Sequence, residues 1–488
     1  MKRKVISLVV FTMTSVSALA GGILTNTNQS VLFLKNPARD GAIGLDGVYS
    51  NPAGVAFMPE GLHLAFNWQY AHQTRTVTST NPVFALGRKN GGLSTKQFEG
   101  VADAPIIPSL QAAYNKGPWS IQFNFSIPGG GGKCEFADGL GSFESVVGSI
   151  ATALQPLGAT GYDMDGYMHG RQYYYGFQLG AAYKINPNLS IYGGLRLLYG
   201  DATYKAKISN IQVLTQAGAV DFGSFLDAAS NSINQQIEQG RQALQAGLIT
   251  PEQAQAAMAE AEGAQQKLSA LQIYRNGVNL QCDQTGLGIA PVLGIDYRFG
   301  QFNIAAKYEF KTQMKMKNKS TLNEASEIPA VNKFRDGEKV DEDSPALLTV
   351  GGQWSITDAV RLNVGYHHFY DTNVKWYGDT QKNLDGGTNE YLAGAEWDIN
   401  DRLNVSAGGQ LTRYQLTDAY MNDMSFVVNS YSFGFGISYK VTDKVTVNAA
   451  YFQTNYTDYD KVTQAEPRIS DSFTRTNRVL GVGVQLDL

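Results

Sequence analysis

Apolar residues alternate with small or polar residues along many segments of this chain, and this period of two limits its fold more than any other feature. In 431–441 one set of alternate positions is entirely apolar or aromatic, while the other holds Ser, Gly and Lys. Successive side chains of a β-strand point to opposite faces, so such a segment predicts a strand with one apolar face. The pattern recurs in 62–70, 189–199, 287–297, 360–366, 403–412, 445–451 and 480–488.

Short and long connections alternate between these strands. Tight polar turns occur at 115–117, 185–189, 299–300, 356–360, 399–403 and 441–445. Long connections run at roughly 79–107, 128–170, 209–283, 318–343, 377–387, 417–429 and 458–472. A soluble sandwich also alternates, but it has no reason to keep all its long loops at one end. The rhythm is typical of outer-membrane barrels, so we predict an all-β, closed, antiparallel transmembrane β-barrel of about 14 strands.

The start of the chain predicts export. Lys2, Arg3 and Lys4 precede an apolar run that ends in Ala18-Leu19-Ala20, which is the pattern of a cleaved secretory signal peptide at 1–20. No later run of 18 apolar residues predicts a transmembrane helix. With 39 basic and 43 acidic residues and a net charge of −4, the chain lacks the basic excess of a nucleic-acid binder. The aromatics Trp68, Tyr70, Trp119, Trp354, Trp376 and Trp397 fit interfacial anchors near strand ends, and the alternative for each one singly is a packed aromatic.

Two further segments stand out from the barrel predicted for 62–488. Residues 21–61 are rich in Gly and small residues, which suits a backbone packed inside a lumen, so we predict an N-terminal hatch, or plug. The loop 209–283 carries apolar residues at helical spacing from Phe222 to Leu244. Thr250-Pro251-Glu252-Gln253 then has the pattern of a capping box that opens a second helix towards Leu271. This helical hairpin turns its apolar stripe either to the barrel mouth or to its own partner helix.

The plug segment ends in Asn51-Pro52-Ala53 just before the first strand, and the whole chain after the signal peptide resembles the FadL-type outer-membrane transporters. The resemblance implies a monomeric barrel in the bacterial outer membrane that takes up long-chain fatty acids or other hydrophobic compounds. It further implies that loops capture the ligand, that the hatch rearranges, and that the ligand can leave sideways into the lipid of the membrane. The expected partners are that ligand, outer-membrane lipid and the barrel assembly machinery, without a cofactor or a metal.

The resemblance also implies roles for particular residues. A kink in the third strand opens the wall in such proteins, and Pro128, Gly129 and Gly130 are the candidates here, although an ordinary Gly-rich loop is the alternative. Asn51 is expected to hydrogen-bond within the hatch or to the wall and so to affect uptake. The alternative is that the motif only ends the hatch segment and has no role in uptake. Lys205 and Lys375 lie in stretches similar to those that supply basic head-group ligands, and their alternative role is that of solvated rim charges.

The remaining chemistry of the sequence points away from catalysis. No Gly-x-Ser-x-Gly elbow and no Walker or dinucleotide glycine pattern occurs, and His367 and His368 point to opposite faces of a strand. Cys134 and Cys282 form either a disulfide, which export favours, or two free thiols. An outer-membrane channel or porin, a surface binding protein and an outer-membrane lipase are the alternative functions. We expect a transporter rather than an enzyme.

Overall fold

The computed structural model describes residues 23–323, 329–464 and 467–488 of the chain, so the signal peptide expected at 1–20 lies outside the described residues. Within them, fourteen strands form the wall of a barrel. The strands are β1 Gly61–Thr80, β2 Thr95–Lys116, β3 Trp119–Phe136, β4 Gly161–Lys184, β5 Leu189–Thr215, β6 Val278–Phe299, β7 Phe302–Glu309, β8 Leu347–Ser355, β9 Val360–Phe369, β10 Thr388–Asp398, β11 Leu403–Arg413, β12 Ser430–Thr442, β13 Val445–Tyr456 and β14 Ser470–Asp487.

The wall is closed. Each strand pairs antiparallel with the next one in the chain, from β1 with β2 to β13 with β14. The last strand, β14, pairs with β1 and places Val482 opposite Trp68. Closure leaves no sheet edge with unpaired backbone groups, which a spanning structure in lipid requires. The predicted fold class is confirmed.

The two faces of the strands differ as the alternation predicts. On β12, Phe433, Phe435 and Ile437 are 42%, 53% and 46% exposed and belong to an apolar outer surface. The alternate residue Ser432 is buried on the inner face, where its hydroxyl donates to the Thr454 hydroxyl of β13 over 2.9 Å. A belt of outward apolar side chains around a polar interior is the arrangement that lipid tails cover in transmembrane barrels.

The short connections lie at one end of the barrel and have the expected turn chemistry. Asn186 Oδ1 accepts from the backbone N–H groups of Asn188 and Leu189 over 2.8 and 2.9 Å. Asn400 Oδ1 accepts in the same way from Arg402 and Leu403 over 2.9 and 3.0 Å. These two Asx turns reverse the chain within a few residues, because the side chain replaces a backbone acceptor. We call this end the turn end and the opposite end the loop end.

The loops of the loop end carry most of the remaining elements. The helices are α1 Val31–Lys35, which precedes the barrel, and α2 Gly141–Leu154, α3 Phe222–Gln245 and α4 Pro251–Leu271. Short strands occur at Gly218–Asp221, Lys315–Asn323, Lys339–Asp341 and Tyr459–Val462. Single 3₁₀ turns occur at Leu45–Val48, Gly54–Phe57, Pro82–Leu86, Arg88–Asn90, Gln155–Leu157, Gln272–Tyr274, Pro329–Phe334, Asp371–Asn373 and Tyr377–Asn383.

The helical hairpin predicted within 209–283 is confirmed, with corrected bounds. Strand β5 continues to Thr215, and β6 begins at Val278. The capping box forms as expected, because Thr250 Oγ1 accepts from the N–H of Gln253 over 3.3 Å and the Gln253 side chain accepts from the N–H of Thr250 over 3.0 Å. The apolar stripe of α3 meets both expected partners: Phe222 and Leu226 join the core at the barrel mouth, and Ile233 packs in the cluster that includes Leu268 of α4.

The long loops are shorter than the sequence predicts. Residues 95–107, 128–136 and 161–170 were expected to be loop, but they lie in β2, β3 and β4. Strands that continue beyond the apolar belt no longer need an apolar outer face, so their alternation fades while their backbone pairing persists. Trp376 also differs from its expected anchor role: it is 4% exposed and packs inside the loop core. Among the described residues, no helix is both long and apolar enough to span a membrane.

Candidate functional site

Residues 23–60, here called the plug segment, precede β1 and contact the inner face of the wall along its circumference. Most of their side chains are buried. Lys35 Nζ donates to Asn404 Oδ1 of β11 and to Ser438 Oγ of β12, each over 2.6 Å. On the other side of the lumen, Lys307 Nζ of β7 donates to the Tyr49 carbonyl over 2.8 Å. The plug segment is therefore tied to strands that are far apart in the ring.

Asn51-Pro52-Ala53 lies near the turn end and joins three strands. Asn51 Nδ2 donates to Asp296 Oδ2 of β6 over 2.6 Å and to the Ala42 carbonyl over 3.2 Å, while its Oδ1 accepts from Gly54 N–H over 3.2 Å. The next two carbonyls accept from wall side chains: Pro52 from Gln122 of β3 over 2.7 Å, and Ala53 from Ser190 of β5 over 2.6 Å. The motif thus fixes one end of the plug segment to the wall.

Buried charges of the plug segment are neutralised by charges of the wall. Arg39 bonds bidentately to Asp46, with distances of 2.7 and 3.0 Å, and also contacts the Glu396 carboxylate of β10. His367 of β9 lies between two carboxylates, with Nε2 2.9 Å from Asp40 and Nδ1 2.8 Å from Glu390. A desolvated charge is tolerated only with such partners, so plug and wall are electrostatically matched.

Glycines on the inner wall let the plug backbone approach. A Cβ added to Gly434 of β12 would collide with the Leu34 carbonyl, and one added to Gly394 of β10 would collide with Asn36 Oδ1. A Cβ added to Gly351 of β8 would collide with Asp40 and the Gly41 backbone, and one added to Gly41 of the plug segment would collide with the Gly352 backbone. In the sequence, these wall glycines appear only as members of the small or polar set that alternates with the apolar set. Their specific purpose is to leave room for the plug segment.

The wall is interrupted between β2 and β3. These strands pair at Val101 opposite Glu135 and again from Leu110 opposite Phe125, and the stretch between lacks a continuous register. The pairing of β3 with β4 also shifts between Ser126 and Gly132. Pro128 cannot donate a ladder hydrogen bond, and Gly130 and Gly132 adopt φ values of 90° and 67°, which only Gly takes readily. The three kink candidates therefore lie inside a true break in the ladder, and β3 continues beyond them.

The start of the plug segment occupies this wall break. Asn26 N–H donates to the Pro128 carbonyl over 2.9 Å, and Gly130 N–H donates to the Leu24 carbonyl over 3.0 Å. The Gln29 side chain completes the pairing, because its Oε1 accepts from Ile127 N–H over 3.1 Å and its Nε2 donates to the Ile127 carbonyl over 3.1 Å. Backbone groups that the wall leaves unpaired are thus satisfied by the plug.

Two small cavities flank the break. One lies inside the barrel, has a volume of about 20 Å³ and is lined by Thr25, Tyr49, Pro128, Arg196 and Leu198 among others. The other, also about 20 Å³, lies at the wall and is lined mainly by apolar or small residues: Ala71, Ala102, Ala104, Ile107, Ile127, Gly129, Gly130 and Tyr173. Each volume is close to that of one water molecule. A larger molecule passes here only if the start of the plug segment moves.

The structure does not bring Lys205 and Lys375 together in the lumen. On β5 the buried inward set is Tyr204, Ala206 and Ile208, so Lys205 lies on the opposite, outward face. Lys375 lies in the loop after β9, where its side chain is 64% exposed and its Nζ is 3.0 Å from Asp341. This ion pair raises the pKa of Lys375. The proposed head-group role of both lysines has no support from their positions and stays a prediction.

The disulfide predicted between Cys134 and Cys282 is wrong for this structure, in which both are buried free thiols. Cys134, Gly170, Tyr204 and Cys282 occupy one row across four neighbouring strands. Strands lie about 4.8 Å apart, which puts the two cysteines roughly 14 Å apart along the wall. A disulfide needs Cα atoms within about 7 Å, so the sequence separation into different loops misled the prediction.

Several contacts of this site could not be read from the sequence. Asp296 and Glu396 are single acidic residues in otherwise alternating strands, and their partners Asn51 and Arg39 lie more than 200 residues away in the plug segment. Glu390 bonds to His367 of the neighbouring strand, which in turn meets Asp40 of the plug segment. An acidic residue at an inward position of a strand was the available signal, since such a charge needs a partner inside the lumen. Its partner could not be assigned without the fold.

Known structures share this architecture over nearly the whole chain. A FadL homologue from Pseudomonas aeruginosa superposes with a TM-score of 0.60 at 11% sequence identity, covering 96% of this chain and 100% of that one. The P. putida toluene transporter TodX superposes with a TM-score of 0.53 at 12% identity, covering 91% of this chain and 94% of that one. No protein-family model and no curated protein matches the sequence. The chain therefore has the fold of the FadL-type barrels, and this likeness is one of fold.

Proposed function

We propose that this protein is an outer-membrane transporter that takes up long-chain fatty acids or similar hydrophobic small molecules. The observation that carries the proposal is the wall break between β2 and β3, which the start of the plug segment fills with hydrogen bonds from Leu24, Asn26 and Gln29. An interruption lined by apolar residues serves no purpose in a closed pore. It serves a molecule that leaves the barrel sideways into lipid.

The proposed path begins at the loop end, which faces the cell exterior. A ligand enters between the loops, displaces the start of the plug segment from Pro128 and Gly130, and exits through the gap beside Ile107 and Ile127. The Asn51 end of the plug segment stays attached to β6, because its bonds to Asp296 lie at the turn end, away from the break. A filled lumen also disfavours the alternative of an open diffusion porin.

A reversible crosslink tests the path. Asn28 and Gln69 of β1 exchange two side-chain hydrogen bonds of 2.8 and 3.1 Å close to the break. In a Cys134→Ala, Cys282→Ala background, Asn28→Cys with Gln69→Cys is joined by a short bis-methanethiosulfonate, which forms a disulfide with each cysteine that a reductant cleaves. We expect the crosslink to stop uptake of a labelled fatty acid or of ethylbenzene into vesicles, and reduction to restore it.

The matched control joins two wall strands instead. Ala395 of β10 and Ala407 of β11 are direct cross-strand partners on the outer face, so Ala395→Cys with Ala407→Cys adds the same reagent without touching the plug. Uptake should survive this second crosslink. If the Asn28–Gln69 crosslink leaves uptake unchanged, the plug does not need to move and the proposed path fails.

A further inference from the structure

The loop end carries a pocket that is separate from the plug contacts and from the wall break. It lies between the start of α2 and the loops around Thr380, Met421 and Thr463, and its volume is about 290 Å³. This is close to the lower bound of about 300 Å³ for small-molecule sites. Its apolar lining includes Tyr420, Met421, Met424 and Ile469. The helical hairpin α3–α4 does not line it.

Two carboxylates and one ammonium are the charged groups in the lining of this pocket. Asp423 is 9% exposed, and its Oδ2 accepts from Ser142 N–H at the start of α2 over 2.7 Å. Burial raises the pKa of Asp423 to about 6, although the Ser142 hydrogen bonds act in the opposite direction. Asp471 lines the same pocket, and the one basic group among its lining residues is Lys461, whose Nζ donates to the Met421 carbonyl over 2.7 Å.

A buried hydroxyl in the lining has no partner. The Thr380 side chain is 7% exposed, and its Oγ1 has no hydrogen bond within the part of the chain that the structure describes. Native proteins rarely leave a buried polar atom unsatisfied, so this hydroxyl indicates a place for a ligand that can both donate and accept. It is independent of the two carboxylates, because it lies on a different loop.

The pocket and the wall break both adjoin one buried apolar cluster. Tyr420 and Met421 belong to a buried cluster that includes Phe426 and Val428 and ends at Ile23 and Leu24 of the plug segment. The Leu24 carbonyl is the acceptor of the Gly130 N–H at the break. A molecule bound in the pocket therefore lies at the outer end of the same apolar region whose inner end closes the exit.

We propose that this pocket is the first binding site for the transported molecule and that it selects neutral, hydroxyl-bearing hydrophobic molecules over carboxylates. The ligand hydroxyl donates to Asp423 or Asp471 and accepts from Thr380, while its apolar part packs on Tyr420 and the two methionines. A carboxylate ligand meets two like charges and one ammonium that is already bonded. The inference rests on the proposed function, and it narrows the substrate class away from free fatty acids.

Calorimetric titration of the purified full-length protein in detergent tests the selectivity with three probes of one shape. These are 4-ethylphenol, 4-ethylbenzoate and ethylbenzene at pH 7.5. We expect 4-ethylphenol to bind about tenfold more tightly than 4-ethylbenzoate, the effect of one hydrogen bond to a charged group. Asp423→Asn should reduce this preference to about twofold or less. Equal or tighter binding of 4-ethylbenzoate to the unaltered protein would overturn the proposal.

Thr380→Val keeps the shape of the pocket and provides the second variant in case Asp423→Asn disturbs the start of α2. This substitution should weaken the binding of 4-ethylphenol severalfold and leave the binding of ethylbenzene unchanged, because only the phenol bonds to the Thr380 hydroxyl. Asp401→Asn, in a turn at the opposite end of the barrel, is the control and should leave the binding of both probes unchanged. If Thr380→Val and Asp423→Asn both bind 4-ethylphenol like the unaltered protein, the pocket is not the site.

Ethylbenzene uptake into vesicles separates this inference from the proposed function. If uptake depends on the protein but no probe shows a preference, only the selectivity of the pocket is refuted. If uptake does not depend on the protein at all, the proposed function fails, whatever the binding data show.

Discussion

Replacing Asn51 by Ala should release the turn end of the plug segment from the wall while leaving the barrel intact. The change removes the bond to the Asp296 carboxylate, the bond to the Ala42 carbonyl and the bond from Gly54 N–H. A hydrogen bond to a charged group contributes about 2 kcal/mol and a neutral one about 1 kcal/mol, so the three losses lower the local stability of this end by about 4 kcal/mol, of which about 2 kcal/mol is lost from its docking on the wall. Asp296 keeps one donor, Asn303 Nδ2 at 2.8 Å.

Amide hydrogen exchange of the plug segment measures this loss. Since about 1.4 kcal/mol corresponds to a factor of ten, amides near Asn51 should exchange about a thousandfold faster at most. Uptake of a hydrophobic substrate should fall, because a loosely held plug no longer positions its start against the wall break. Ser50→Ala is the control, since Ser50 donates only to the Asp46 carbonyl of the same segment. Unchanged exchange together with unchanged uptake would refute the anchoring role.

Three further outcomes follow from the structure. Protease added to intact cells should cut the hairpin α3–α4 and spare the Asn400–Asp401 turn, and the reverse pattern would contradict the topology. Gly434→Val should displace the plug segment, because its side chain collides with the Leu34 carbonyl, and raised single-channel conductance would report it. Burial raises the pKa of Asp371 to about 6, against about 4 in an unfolded chain, so its protonated form is favoured in the folded loop. The loop around Asp371 should therefore gain on the order of 2 kcal/mol of stability as pH falls from 7 to 4, seen as slower proteolysis, and Asp371→Asn should remove this pH dependence.

The head-group role of Lys205 and Lys375 is tested separately from these. Changing both to Met removes two charges and keeps apolar bulk. Since Lys205 faces outward and Lys375 is paired with Asp341 at the surface, we expect the affinity for a labelled long-chain fatty acid to stay within about twofold. A loss of tenfold or more would restore the head-group assignment.

The wall could be predicted because lipid and a polar lumen impose one pattern on every strand. Phe433, Phe435 and Ile437 alternate with small residues for this reason. The tight turns at Asn186 and Asn400 were predictable because Asn side chains favour such turns. The strands beyond the belt could not be bounded, since residues 95–107 pair without an apolar outer face. The sequence pattern therefore predicted the strand segments that the membrane constrains. It missed the strand extensions that only backbone pairing stabilises.

The site was less predictable because its contacts join distant parts of the chain. The position of Asn51 before the first strand pointed to a wall partner, but nothing identified Asp296 as that partner. The cysteine pair shows the opposite error: two residues that seemed to meet lie in one row of the sheet, three strands apart. The number of strands between the two residues decides this case, and it follows from the order of strand pairing in the fold.

The charged contacts of the plug segment have a consequence for the order in which the molecule is built. Arg39, Asp40 and Lys35 emerge first during synthesis, yet their partners on β9 to β12 come more than 300 residues later. Arg39 can pair with Asp46 of the plug segment itself, but until those strands are in place Lys35 and Asp40 gain nothing from entering a dry interior and stay hydrated. The plug segment is thus among the last parts of the chain to take its position. A barrel arrested before β10 would expose the plug segment to solvent and to proteases.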